Sequence, residues 1–184
     1  MRDIAGAPAT GCVSQGTGVN PPRPRPACAA VPPGQLHVLH PGDVACAAQG
    51  DRFETLLGSC VSIVLTDPRR TVAAMCHVVH AGQGPRVASK NTAYGGAALD
   101  AMFSMLRARG IDPHQCEAYV HGGGNMFPDQ FPTLHVGQHN ACWALDELER
   151  CGVRVLCRDV GGSSYRRLCW TIGTGAPQVT AVPV

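Results

Sequence analysis

The sequence has no long apolar run, little net charge and few aromatic residues, and each shortage excludes a class of function. No apolar stretch approaches the roughly 20 residues that a membrane-spanning helix needs. The formal net charge is +2 over 184 residues, which gives no basic surface of the kind that binds nucleic acid. Aromatic residues make up only 5% of the chain, so a platform for stacking bases is not expected. With 45% hydrophobic residues, the chain suits one globular domain.

The sequence also lacks the spacing signals of a zinc or redox site. Its ten cysteines are spread along the chain without a C-x-x-C pair, and the N-terminus lacks the layout of a secretory signal. These features indicate a reduced, cytoplasmic protein. The pairs His77-x-x-His80 and His135-x-x-x-His139 resemble zinc ligands, but neither has an acidic neighbour, and the second precedes the predicted helix. No metal and no cofactor are therefore expected.

Composition divides the chain near residue 34. Residues 1–34 are rich in proline, glycine and alanine and are predicted to be a disordered tail. Residues 35–184 are predicted to form a single domain, in which apolar or alternating segments predict strands and amphipathic segments predict helices. The strands are expected at residues 36–40, 43–47, 60–65, 71–79, 115–120, 153–160 and 166–172, and the helices at 92–109 and from an N-cap at Asn140 to Cys151. This order indicates mixed α+β content without the repeated β-α-β unit of a doubly wound fold.

Cys60 and His77 are the most informative pair of residues. Cys60 opens a β-branched run, and His77 lies near the end of the next apolar segment. A hairpin joined by residues 66–70 would bring the thiol and the imidazole within side-chain reach. Such a pair can carry out the attack of a thiolate on a carbonyl carbon. The alternative interpretations are a buried strand cysteine and a histidine bonded to backbone.

Glycine-rich segments indicate where an oxyanion or a substrate would bind. Gly58 lets the chain turn sharply before the cysteine and exposes amides around Ser59, where an oxyanion would be held. The segment with Gly122 and Gly123 resembles the glycine-rich oxyanion loop of esterases, but their G-x-S-x-G motif is absent. The favoured interpretation is a turn where backbone passes close to the active site or to a substrate chain. Asn140, at the start of the second helix, is a further candidate for this region.

Several short motifs, taken in order, resemble the CheD family of bacterial chemoreceptor glutamine deamidases. They extend from about residue 36 to 175, which is nearly all of the predicted domain. The motifs are Thr55-Leu56-Leu57-Gly58-Ser59-Cys60-Val61, His77, Tyr94, Gly122-Gly123 with Met126-Phe127, Gly137-x-x-Asn140, and Asp159-Val160-Gly161-Gly162 followed by Arg166.

The resemblance implies a layered helix–sheet–sheet α/β domain, similar to the catalytic fold of deamidating bacterial toxins. It implies hydrolysis of particular glutamine side chains, and possible hydrolysis of glutamyl methyl esters, in chemoreceptor cytoplasmic helices. The cysteine, histidine and threonine of the family's catalytic triad correspond to Cys60, His77 and Thr55. The implied partners are methyl-accepting chemoreceptor helices and a CheC-type phosphatase. The alternative function is a non-catalytic adaptor that binds and stimulates that phosphatase.

Overall fold

Two β-sheets and two α-helices make up the part of the chain that the structure describes. The structure is a computed structural model and describes residues 34–84, 90–133, 135–173 and 175–182. The strands are β1 Leu36–Val38, β2 Val44–Ala48, β3 Arg52–Leu57, β4 Val61–Thr66, β5 Val72–Val78, β6 Glu117–Gly122, β7 Arg154–Val160, β8 Tyr165–Thr171 and β9 Gln178–Val182. The helices are α1 Gly95–Ala108 and α2 Val136–Arg150, and a short 3-10 helix spans Pro113–Gln115. The predicted tail lies outside the described residues, apart from Gly34.

The strands form two sheets that lie face to face, with both helices on the outer face of one of them. The five-stranded sheet has the order β2-β5-β4-β6-β7, and the four-stranded sheet has the order β1-β3-β8-β9. One apolar core joins α1 and α2 to the five-stranded sheet, and a second core lies between the two sheets. The predicted mixed α+β fold with helix, sheet and sheet layers is therefore confirmed.

The central strand β4 is apolar along most of its length because both of its faces are covered. Every residue of β4 is buried. Ile63 belongs to the core under the helices, whereas Val64 belongs to the core between the sheets. A strand buried on both faces has a continuous hydrophobic sequence rather than an alternating one. Ser62, two residues before Val64, therefore faces the four-stranded sheet.

The predicted hairpin between β4 and β5 is present, and its register sets which side chains lie opposite one another. The two strands are antiparallel, with Ser62 opposite His77. The carboxylate of Asp67 holds the turn by accepting hydrogen bonds from the backbone N–H groups of Thr71 at 2.7 Å and Val72 at 2.9 Å. A slip of one residue would move every side chain to the other face of the sheet. The turn thus keeps His77 directed toward the four-stranded sheet.

Both predicted helices are present, but the predicted cap of the second is wrong. The N-cap of α2 is His135, whose Nδ1 accepts a hydrogen bond from the backbone N–H of Gln138 at 3.2 Å. Because this bond satisfies one of the free N–H groups of the first turn, the helix begins at Val136. Asn140 lies inside the helix and is buried. Neither helix, nor any other within the described residues, is long and apolar enough to cross a membrane.

Strands β3 and β9 are not predicted by the sequence pattern. In β3 the buried residues are Phe53, Thr55 and Leu57, while Leu56 between them is exposed. A polar threonine on the buried face and a leucine on the exposed face hide the alternation on which strand prediction relies. The omission matters because β3 carries one of the predicted site residues.

Candidate active site

The turn that carries Cys60 joins β3 to β4 and is bound to the glycine-rich segment that follows β6. The carbonyl oxygen of Cys60 accepts a hydrogen bond from the N–H of Gly123 at 2.8 Å. The carbonyl oxygen of Gly58 accepts one from the N–H of Gly124 at 2.8 Å. These two bonds fix the backbone on both sides of Ser59. The sulfur is therefore attached to a well-held part of the five-stranded sheet.

Asn140 holds the remaining carbonyl group of this turn. Its Nδ2 donates to the carbonyl oxygens of Ser59 at 3.1 Å and Val79 at 2.9 Å, and its Oδ1 accepts from the N–H of Ala81 at 2.8 Å. The residue is 1% exposed. From inside α2, Asn140 thus ties the turn before β4 to the end of β5. Its place in the structure is that of a positioning residue and not of a helix cap.

The amide N–H groups of Ser59 and Cys60 are a separate feature of this turn: no described residue accepts a hydrogen bond from either of them. In a trans peptide the N–H points away from the preceding carbonyl, so the N–H of Cys60 is directed away from Asn140. Both residues line a surface cleft. Two free N–H groups beside a sulfur are what an oxyanion site requires.

His77 is oriented by Thr55, across the space between the two sheets. Oγ1 of Thr55 lies 2.9 Å from Nδ1 of His77 and donates its own proton to the carbonyl oxygen of Leu39 at 2.8 Å. Because a hydroxyl has only one proton to donate, Thr55 accepts the second bond from an N–H at Nδ1. Nε2 of the neutral ring is therefore unprotonated and can accept a proton.

Cys60 and His77 lie at the same end of the β4–β5 hairpin. His77 is directly opposite Ser62, and Cys60 is two residues before Ser62 in the chain. The register therefore makes Cys60 and His77 diagonal neighbours. Such neighbours have Cα atoms about 7–8 Å apart, a distance that long side chains can span. The structure thus brings Thr55, His77 and Cys60 to one end of the space between the sheets.

Burial favours the neutral forms of both the thiol and the imidazole. Burial raises the pKa of the Cys60 thiol above its ordinary value. Burial also lowers the pKa of His77, and the Leu39 carbonyl and the Asp43 carboxylate only partly oppose this effect. A low-polarity environment disfavours whichever form is charged. Burial thus favours a thiol beside a neutral imidazole at neutral pH, a pair in which a proton moves as the sulfur attacks.

Gly122 and Gly123 lie behind the cysteine and do not face the cleft. The N–H of Gly123 is already donated to the Cys60 carbonyl and is unavailable to an oxyanion. Gly122 has a φ of 108°, and a Cβ at this position would lie 2.3 Å from the carbonyl oxygen of Cys60. Only glycine fits there without displacing the turn. These two residues let the backbone pass close behind Cys60.

The cleft at Cys60 has a volume of about 580 Å³ and an apolar mouth. Phe127, Phe131 and Val136 line it, and each of these side chains is more than half exposed. Tyr165 lines the cleft as well. Apolar side chains grouped at the mouth of a cleft are typical of a surface that binds another molecule.

Comparison with known proteins identifies the family of this chain. A family model described as CheD chemotactic sensory transduction matches residues 80–181. A protein of Albidiferax ferrireducens, named probable chemoreceptor glutamine deamidase CheD 2, is 35% identical over 141 residues, which cover 74% of this chain and 82% of that protein. The chain belongs to the CheD family. The probable chemoreceptor glutamine deamidase CheD of Pseudomonas fluorescens is 31% identical over 150 residues, covering 80% of this chain and 85% of its relative.

Membership of the CheD family, predicted from the motifs, is thus confirmed. The match to the CheD family model begins at residue 80 and so does not include Thr55, Cys60 or His77. The roles of these three residues stay predictions that rest on their geometry. A solved structure of a Neisseria meningitidis protein of the DUF152 family aligns with a TM-score of 0.43 at 13% identity, covering 71% of this chain and 64% of that one. This likeness is too distant to support an argument.

The histidine pairs that resemble zinc ligands have other contacts in this CheD-family chain. Nδ1 of His135 caps α2, and the ring of His80 packs against Tyr94 with centroids 5.0 Å apart. Within the described residues, no group of three or more histidine, cysteine, aspartate or glutamate side chains is placed to hold a metal ion.

Two buried polar residues beside this CheD site, Ser62 and His121, are not singled out by the sequence analysis. Ser62 interrupts an otherwise apolar strand, and His121 ends the buried run that precedes the glycines. A polar residue inside a strand that is buried on both faces is the signal that could have indicated a site.

Proposed function

We propose that this protein is a cysteine-dependent deamidase that converts glutamine side chains of chemoreceptor cytoplasmic helices to glutamate. The observation that carries the proposal is the hydrogen bond from His77 to Thr55, which leaves Nε2 as a free base near Cys60. The names of the CheD relatives, probable chemoreceptor glutamine deamidases, support the same reaction and substrate. Such a substrate is cytoplasmic, so the protein would act in the cytoplasm.

In the first half of the reaction Cys60 forms a thioester with the substrate. The sulfur attacks the δ-carbon of glutamine while Nε2 of His77 takes the thiol proton. The N–H groups of Ser59 and Cys60 hold the developing oxyanion, and one such donor lowers the barrier by about 3 kcal/mol. The C–N bond then breaks, and the imidazolium gives its proton to the departing ammonia. A γ-glutamyl thioester remains on the enzyme.

In the second half of the reaction water releases glutamate. The water oxygen attacks the thioester carbon while neutral His77 takes one of its protons. The C–S bond breaks, and the imidazolium returns this proton to the sulfur. Because Nδ1 donates to Thr55 throughout, the ring keeps the same orientation in both halves.

The apolar mouth of the cleft supports a protein substrate over free glutamine. Phe127, Phe131 and Val136 offer an apolar surface that a small polar amino acid would not use, whereas an amphipathic receptor helix could cover it. A glutamyl methyl ester on such a helix presents the same carbonyl carbon to Cys60. The site would therefore hydrolyse receptor methyl esters as well.

An adaptor that stimulates a CheC-type phosphatase would use the surface of the protein but not the thiol. Such a function needs neither the free amides nor the oriented imidazole. A variant that lacks the thiol but keeps the fold therefore separates the adaptor from the deamidase.

The proposal is tested by incubating the protein with a chemoreceptor cytoplasmic fragment and following glutamine-to-glutamate conversion by peptide mass spectrometry. The variants are Cys60→Ala and, as a matched control, Cys157→Ala, because Cys157 is an exposed cysteine on β7. We expect conversion with the wild type and Cys157→Ala, and none with Cys60→Ala. Conversion by Cys60→Ala would exclude the thioester mechanism. Phosphatase stimulation by a wild type that converts no glutamine would favour the adaptor.

A further inference from the structure

Three strands of the five-stranded sheet place His77, Ser62 and His121 in one row. Ser62 on β4 is directly opposite His77 on β5 and directly opposite His121 on β6. Residues directly opposite in antiparallel strands share one face of the sheet. That face looks onto the four-stranded sheet, because Val64 and Tyr119, each two residues along its strand, belong to the core between the sheets. A second histidine thus lies on the far side of Ser62 from His77.

Ser62 and His121 are buried residues whose polar side-chain atoms have no hydrogen-bond partner among the described residues. Ser62 is 0% exposed and His121 is 2% exposed. No described residue bonds to Oγ of Ser62 or to either ring nitrogen of His121. Nη1 of Arg166 is another buried atom to which no described residue bonds. Such atoms nearly always have a partner in folded proteins, and where the protein supplies none the partner is commonly an internal water.

Burial, more than the charged groups nearby, favours the neutral form of the His121 ring. Asp159 lies opposite His121 on β7, and Nε of Arg166 on β8 donates to the Asp159 carboxylate at 3.1 Å. Burial lowers the pKa of His121; the Asp159 carboxylate opposes this, and the Arg166 guanidinium adds to it. A neutral imidazole has one nitrogen that donates and one that accepts. Either nitrogen can therefore bond to water.

We propose that Ser62 and His121 bind an internal water molecule beside His77, and that this water hydrolyses the thioester on Cys60. The proposal rests on the deamidase function proposed above. An internal water usually has two to four polar partners. Oγ of Ser62 and a ring nitrogen of His121 supply two such partners. Ser62 lies between the two histidines in the row, so a water held by its Oγ is next to His77, the residue that must take its proton.

The step consumes only this water and the thioester. The water oxygen forms a bond to the thioester carbon as the C–S bond breaks, and the proton moves to Nε2 of His77 and then to the sulfur of Cys60. Ser62 and His121 make no bond to the substrate. They are positioning residues that act through the water, and they affect only the second half of the reaction.

Ser62→Ala and His121→Phe test this role by separating the two halves of the reaction. With excess receptor fragment, we expect a burst of ammonia near one equivalent per enzyme and then turnover about 10-fold slower than wild type or more. Intact-protein mass spectrometry should show the thioester accumulating on Cys60. His121→Gln, which keeps groups that bond to water, should restore part of the turnover. His114→Phe, a change at an exposed histidine, should leave turnover unchanged.

If the variants slow both thioester formation and thioester hydrolysis, and no thioester accumulates, the hydrolytic role is overturned. Turnover at the wild-type rate in both variants would overturn it as well. The water site itself is tested by the unfolding temperatures of Ser62→Ala, His121→Phe and the double variant, which do not depend on activity. If the two residues share one water, the double variant should lose less than the sum of the single losses. Additive losses would overturn the shared site. If the losses in unfolding temperature are coupled but the wild type releases no ammonia from the receptor fragment, the water site is supported and the deamidase function is contradicted.

Discussion

Thr55 accepts a hydrogen bond from Nδ1 of His77 at 2.9 Å, and this bond joins the two sheets at the end of the core where Cys60 lies. The hydroxyl of Thr55 donates its proton to the carbonyl oxygen of Leu39 at 2.8 Å. In the bond between Thr55 and His77, Nδ1 is therefore the donor and the hydroxyl oxygen the acceptor. A neutral hydroxyl can hold the imidazole in one tautomer without adding a buried charge. In the proposed mechanism, Thr55 has the orienting role that a carboxylate has in Ser-His-Asp triads.

Thr55→Val should lower kcat about 10- to 100-fold, equivalent to about 1.4–2.7 kcal/mol of barrier. Valine keeps the shape of the side chain but cannot accept the bond from Nδ1, so the ring loses its fixed tautomer. Thr55→Ser keeps the hydroxyl and should retain most of the activity. The measurements are steady-state deamidation of a receptor fragment and nitrogen-15 NMR of the His77 ring. Unchanged kcat in Thr55→Val would contradict the orienting role.

The pH dependence of kcat/KM should be broad and flat around neutrality. Because burial lowers the pKa of His77, the acid limb, where the protonated ring can no longer take a proton, should lie below the ordinary histidine value of about 6.5. Because burial raises the pKa of Cys60, the alkaline limb should lie above the ordinary thiol value of about 8.5.

Alkylation of Cys60 by iodoacetamide, followed on its peptide by mass spectrometry, checks the same expectation without substrate. The rate should rise with pH in step with thiol ionisation and should remain low at neutrality, because the thiolate is the reactive form. Fast alkylation that no longer rises above neutral pH would reveal a thiolate–imidazolium pair and contradict the neutral pair described here.

Asn140→Ala should reduce kcat about 10- to 100-fold, equivalent to about 1.4–2.7 kcal/mol of barrier, with a smaller effect on KM. The variant loses the bonds to Ser59 and Val79, so the peptide that carries the oxyanion donors is no longer held. Losing these buried bonds should also reduce the free energy of unfolding by about 1–3 kcal/mol. Kinetics and denaturant unfolding measure the two effects.

Asn140→Asp should reduce kcat and the free energy of unfolding at least as much. Its second carboxylate oxygen would face the carbonyl oxygens of Ser59 and Val79, while the acceptor for the N–H of Ala81 is kept. The neighbouring change His139→Ala, on the exposed side of the same helix, serves as the control and should alter neither quantity. Full activity in Asn140→Asp would show that the bond to Ser59 is not needed.

Gly122→Ala should reduce both stability and activity, whereas Gly152→Ala should reduce stability alone. Both glycines have positive φ angles, 108° and 69°, so each substitution incurs backbone strain of about 1–3 kcal/mol. Only at Gly122 would the new methyl group lie 2.3 Å from the Cys60 carbonyl, because Gly152 has no atom within 4 Å of that position. Unfolding free energies and deamidation rates are the measurements. Equal activity in the two variants would show that the turn at Cys60 tolerates displacement.

The local pattern of apolar and polar residues is sufficient to predict features that lie within one element or one hairpin. The hairpin that joins β4 to β5 follows from two apolar segments and a short polar turn. The helices follow from their apolar spacing, although the sequence pattern predicts the cap of α2 at Asn140 and the structure has it at His135. Membership of the CheD family follows from motifs that keep their order along the chain.

Contacts between residues on different elements follow from the packing of the whole domain. Thr55 reaches His77 because β3 belongs to a different sheet from β5, and no periodicity along one strand encodes the contact between two sheets. Asn140 reaches the turn at Cys60 through the packing of α2. His121 lies beside Ser62 because β6 pairs with β4 in one register. Residue type and local spacing are properties of short segments, and they establish which groups can react. Strand order and register, which depend on the whole core, decided which of those groups lie together.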